Sequence, residues 1–319
     1  MTHAMQSSLK AVIASAILCL SARVAEAQNE RYLTQIDTVV TLSSQGTVDV
    51  SLLSGKVNII GGSGSRVRVR AVSGGDNVLE FDASSTRVRL RVEHHGGTGA
   101  RYRPRSRRND GAEFDITVPQ GTRVVVEALS APVSVRGVKG EVKVETVSGS
   151  ITVADASRKV TVESVSGSLD VARVVGDVRA ETVSGQLGMA AVSGEIVGET
   201  VSGQIRITEA RSKSVRAESV SGRVSYGGSF DPAGSYDFSS HSGSLTLSLP
   251  ANAGATVRLE TFSGNVDSDF PVTFGANQSR ASNDSKFEFT IGNGRSSVAA
   301  KTFSGNIRIQ RGASRNQPE

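Results

Sequence analysis

The sequence predicts an all-β protein, a β-solenoid resembling a single-stranded β-helix and built from Val/Ser-Gly repeats of about 18–21 residues. Three observations predict it. Ser-Gly recurs at Ser148-Gly149, Ser166-Gly167, Ser184-Gly185 and Ser202-Gly203, each pair 18 residues after the last. Apolar residues align in columns at the same period. The 319-residue chain also holds 34 glycines, only 4% aromatics and no Trp, which suits strands and turns rather than a bulky globular core.

Residues 1–27 read as a signal peptide. Lys10 precedes the apolar run Ala11 to Leu20, and Ala25-Glu26-Ala27 supplies a small-x-small cleavage site before Gln28. The run is too short to span a bilayer. Cys19 lies inside it, where Leu18 fills a position that a lipoprotein signal gives to a small residue. Cleavage removes this only cysteine, so neither disulfides nor thiol chemistry are expected in the exported chain. The expected compartment is the periplasm, the cell surface or the medium.

Residues 28–120 form an N-terminal β region containing one clear unit, "VDVSLLSGKVNII", and Arg-rich strands. Residues 121–226 are the regular coils. One column holds Val124, Val142, Val160, Val178, Ile196 and Val215, and a second Leu129, Val147, Val165, Val183, Val201 and Val220. Beyond the glycine come Val133, Ile151, Leu169, Leu187, Ile205 and Val224, then Val135, Val153, Val171, Met189, Ile207 and Tyr226. All four columns are expected to build the core. Steps of two mark strands, and a unit this short buries its apolar face only by stacking on its neighbours. Ser-Gly is the corner, with glycine expected to supply positive φ. A sandwich of hairpins would need no fixed 18-residue period. The apolar spacing does not follow a hexapeptide rule, so a right-handed coil is expected. Residues 227–310 hold longer coils, and 311–319 a polar, disordered tail.

Glu127, Glu145, Glu163, Glu181, Glu199 and Glu218 also form a column, in which stacked carboxylates repel. Lys143, Arg179 and Arg216, two residues earlier on the same face, are expected to relieve them. Calcium needs six to eight oxygens, usually from Asp-rich loops, and no such loop accompanies the column.

Charge is uneven. Without the signal peptide the chain carries 34 basic and 30 acidic residues, yet the segment from Arg66 to Arg108 has 11 arginines against four acids. Arg66, Arg68 and Arg70 alternate along one strand, and Arg87, Arg89 and Arg91 along another. A loop adds Arg101, Arg103, Arg105, Arg107 and Arg108. Charged edge strands resist aggregation, which accounts for a few arginines better than for eleven. Guanidinium forks grip phosphate, sulfate and carboxylate, so these arginines are candidates for one anion-binding surface. The expected partner is an anionic glycan, lipopolysaccharide or another envelope polymer. Nucleic acid is not an expected physiological partner, because export separates the two and Tyr102 is the only interleaved aromatic.

No catalytic or metal site stands out. His94 and His95 are adjacent and point apart on a strand; His241 replaces the valine before a Ser-Gly. The serines lie in turns without a His-Asp partner nearby, and "GGSGS" lacks the lysine of a phosphate loop. Asp267 and Asp269 could share one side of a strand, as acid pairs do in sugar-cleaving β-helices, but no aromatic platform accompanies them. No cofactor is expected.

The stretch "FDITVPQGTRVVVEALSAPVSVRGVKGEVKVETVSGSITV" (Phe114 to Val153), with the C-terminal copies "HSGSLTLSLPANAGATVRLETFSGNVDSDFP" and "VAAKTFSGNIRI", resembles a bacterial family of adhesin-like proteins with β-strand repeats, a domain of unknown function. The resemblance covers roughly residues 46 to 310 and excludes the Arg-rich loop. It implies an exported β-solenoid with an adhesive or envelope role and transfers no catalytic residue. The expected function is therefore that of a non-enzymatic envelope or adhesin-like protein. A polysaccharide-acting β-helix enzyme and an envelope-stress sensor are the alternatives.

Overall fold

A computed structural model of the chain describes residues 35–74, 77–94, 111–250, 253–270 and 285–312. The expected signal peptide and most of the tail lie outside them. The described residues form 25 β-strands and no helix. Each regular coil has two strands, such as Val142–Ser148 and Ile151–Ala156, joined by the Ser-Gly corner. Successive coils pair in parallel and in register, Val142 with Val160 and Ile151 with Leu169. The result is two facing sheets, the first holding strands such as Val142–Ser148 and the second those such as Ile151–Ala156, that close no barrel. The inward residues of both belong to one hydrophobic core. The β-solenoid is thus the fold.

Three of the four expected core columns are buried. Val142, Ile151 and Val153 are fully enclosed, and their column mates differ little. The second column is not. Val147, Val165, Val183, Val201 and Val220 are 46–50% exposed. Val142, Val144 and Thr146 point inward in turn, so Val147 must point out. The core position expected of valine belongs to a Thr/Ser ladder instead. Thr146 Oγ1 there donates to Ser164 Oγ at 3.1 Å, and Ser240 Oγ to the Gly222 carbonyl at 3.4 Å.

The corner glycine is required for a reason other than the expected one. Only Gly55 and Gly149 among the corner glycines have positive φ. What excludes a side chain is proximity: a Cβ on Gly185 would lie 1.9 Å from the Gly167 carbonyl oxygen of the preceding coil. In the regular coils the left-handed positions fall elsewhere, at Gly137, Asp155, Arg173, Ala191 and Glu209, with φ between 54° and 69°. Each lies at the end of a strand of the second sheet. By alternation Arg173 would follow Val171 inward; the left-handed turn swings it out and brings Val174 into the core.

The ends of the stack depart from chain order. The coil formed by Thr47–Gly62 lies between the strands Arg87–His94 and Ala112–Pro119 on one side and the coil starting at Arg123 on the other. At the other end Ser296–Ser304 and Ile307–Arg311 insert between the coil 235–249 and the coil 255–268. Antiparallel strands then cover both ends: Gln35–Thr41, Arg66–Ser73 and Asn77–Ala83 at one, Ser285–Ile291 at the other. They carry charged outward residues, which discourage edge-to-edge pairing.

Candidate functional site

The six described arginines occupy one end of the stack but not one face. Arg66, Arg68 and Arg70 alternate with buried Val67, Val69 and Ala71 on a strand of the second sheet. Arg87, Arg89 and Arg91 alternate with buried Val88, Leu90 and Val92 on the first. Because the two sheets share a core, the triplets point away from each other. They form a collar around the N-terminal end rather than the single expected surface. Arg101, Arg103, Arg105, Arg107 and Arg108 lie outside the described residues.

The collar is partly neutralised. Asp37 stands 3.9 Å from Arg68 and 3.5 Å from Arg70, Asp49 lies 3.8 Å from Arg89, and Glu93 lies 3.9 Å from Arg91. These distances exceed those of good charge-assisted hydrogen bonds. The side chains remain 41–58% exposed, so their guanidinium N–H groups stay available to an anion.

The first sheet carries a second feature, an apolar column expected in the core but facing outward. In stacking order, Leu53, Leu129, Val147, Val165, Val183, Val201, Val220, His241, Phe303 and Phe262 form one outward column. The rings at its end stack flat, His241 on Phe303 at 5.0 Å and Phe303 on Phe262 at 4.9 Å, each pair 4° from parallel. At the strand spacing of ~4.8 Å the column runs about 43 Å. Beside it the backbone of the Thr/Ser positions floors a trough of about 1030 Å³, and the glutamate column forms the far wall.

The expected relief of that acid column is present. Lys143 pairs with Glu145 at 2.5 Å, Arg179 bridges Glu181 and Glu199, and Arg216 pairs with Glu218 at 3.7 Å. The hydrogen bond from Lys143 to Glu145, helped by the fields of Glu145, Glu163 and Glu127, holds the ammonium above its ordinary pKa.

The remaining candidates have structural partners. Asp267 pairs with Arg308 at 3.6 Å, and Asp269 accepts from the Arg311 backbone N–H at 3.1 Å. Tyr226 and Tyr236 are buried in the core, where Tyr236 Oη donates to the Ser212 carbonyl at 2.7 Å. Burial pushes both phenols up in pKa. His94 ends its strand and His95 lies outside the described residues. No helix among the described residues is long and apolar enough to cross a membrane.

No curated protein matches the chain. A crystal structure described as a "putative cell adhesion protein" from Clostridium sporogenes is 12% identical over 87% of this chain and 100% of that one; its TM-score is 0.22, too distant to bear on fold or function. The sequence pattern of Toastrack DUF4097, a domain of unknown function, matches residues 47–310, from the first coil through the inserted last one. The chain belongs to the Toastrack DUF4097 family.

Proposed function

We propose that the protein is an exported, non-enzymatic, adhesin-like scaffold of the cell envelope whose N-terminal end binds anionic polymers. The observation that carries this reading is the arginine collar: six outward guanidinium groups on two faces of one end, with only loose acidic partners. A collar suits a flexible polymer that wraps an end better than a flat anionic surface, which would meet one triplet at a time. Acidic glycans and lipopolysaccharide both supply closely spaced anionic groups for guanidinium forks. The binding is electrostatic and therefore falls steeply between low and physiological salt.

The test is titration with an acidic polysaccharide at two salt concentrations. Arg66, Arg68 and Arg70 changed together to Ser weaken binding, as do Arg87, Arg89 and Arg91. Both triplets together abolish it, and changing the five loop arginines, Arg101 to Arg108, weakens it without lowering the melting point. Unchanged low-salt affinity in the six-fold variant refutes the reading.

A further inference from the structure

The geometry points to a second copy of this chain as the occupant of the trough on the first sheet, the two solenoids lying side by side and parallel. This inference is independent of the arginine collar.

Size is the first argument. Nine members of the column expose 44–50% of their surface, with His241 exposed among them. Scattered surface valines need no explanation, but monomers rarely leave a continuous apolar strip of this extent uncovered. The strip offers on the order of 700 Å² of apolar surface, close to the roughly 800 Å² per partner of a stable interface.

Shape is the second argument. The strip is a ridge, and the trough runs beside it over the backbone of the Thr/Ser positions at the same coil spacing. A two-fold axis parallel to the solenoid, placed between ridge and trough, seats each copy's ridge in the other's trough. The contact is isologous, so it closes as a dimer.

Charge selects the orientation. On one side of the ridge stands the acid column; on the other, at the corner, an exposed serine ladder runs through Ser148, Ser166, Ser184 and Ser202. In the parallel arrangement each glutamate column meets the partner's serine hydroxyls, which can donate to carboxylates. In the antiparallel one the two glutamate columns oppose each other, and like charges at that spacing repel. The parallel arrangement also fixes the register, because the bulkier Phe262, Phe303 and His241 meet their own counterparts rather than valines.

Sedimentation of the full chain over a concentration series tests this. The parent sediments as a dimer at micromolar concentration. V165E, V183E and V201E combined, at exposed positions that leave the core untouched, weaken it at least 100-fold while the melting curve of the monomer is kept. A parent that stays monomeric to 100 µM, or a triple variant that dimerises like the parent, overturns the proposal. Orientation is read by oxidative cross-linking in a Cys19→Ser background. L129C links to its own counterpart if the copies are parallel. Cross-linking only when L129C is mixed with F303C means that they are antiparallel, which overturns the charge argument.

Discussion

Leu187→Ala against Val183→Ala separates the core from the ridge. Leu187 is 1% exposed and stacks in register between Leu169 and Ile205. Removing three carbons forfeits about 2.4 kcal/mol of transfer free energy, at ~0.8 kcal/mol for each. The neighbours above and below are held at strand spacing by the backbone ladder, so they cannot close the hole. The residual cavity adds about 1–2 kcal/mol. The expected loss is therefore about 3.5–4.5 kcal/mol. Val183, only four residues earlier, is 48% exposed on the outer face, and its truncation costs less than about 1 kcal/mol. The chain has no Trp, so urea unfolding is followed by far-UV circular dichroism, at concentrations low enough to keep the chain monomeric. The two variants are compared by midpoint at constant slope. Equal losses, or a larger one for Val183→Ala, would refute the assignment of this column to the surface.

Ala191→Gly is expected to raise stability by about 1 kcal/mol, because its left-handed φ of 54° penalises a Cβ more than glycine's entropy costs; denaturant midpoints check this. Gly185→Ala, with no room for a methyl beside the Gly167 carbonyl, is expected to lose about 2 kcal/mol or more in the same assay. Asp155 accepts from Arg173 Nε at 2.6 Å and Nη2 at 3.0 Å, which holds its carboxyl below the usual aspartate range. This small stabilisation is present above an ordinary aspartate pKa of about 3.9 and is lost as pH falls through the lowered folded value. Carboxyl NMR should show Asp155 titrating low in the parent and returning upward in Arg173→Ser. Intact mass of protein from the native host should place Gln28 first; a product retaining Lys10 would refute export with cleavage.

The coil, the parallel register and the ion pairs of the acid column were legible because all three depend on local spacing. Lys143 and Glu145 are two residues apart on one strand, so their shared face follows from alternation. The same rule held the missing clue to the ridge. From Val142 to Val147 is five residues, an odd step, which puts the two on opposite faces. Apolar character concealed this, since valine is ordinarily buried and the threonine beside it ordinarily is not. The left-handed residues left no such signal, because Asp155, Arg173, Ala191 and Glu209 share no chemistry, only a position. The arginine triplets were each legible as one face of a strand. Which sheet each strand joins depends on distant partners, and the pairing of Arg66–Ser73 with Gln35–Thr41 and Ala112–Pro119 is not encoded by a local repeat.

The insertion of the last coil between two earlier ones has a mechanical consequence. In a stack assembled in chain order, tension on the C-terminal side would peel away an outermost coil, breaking one interface strand by strand. Here the strands Ser296–Ser304 and Ile307–Arg311 have parallel neighbours on both sides. A load applied beyond residue 312 must shear two ladders at once before any coil leaves, and the outermost coil, 255–268, bears none of it directly. The stack resists pulling from inside its own body, as a stitched seam does when the thread passes back under the previous loop.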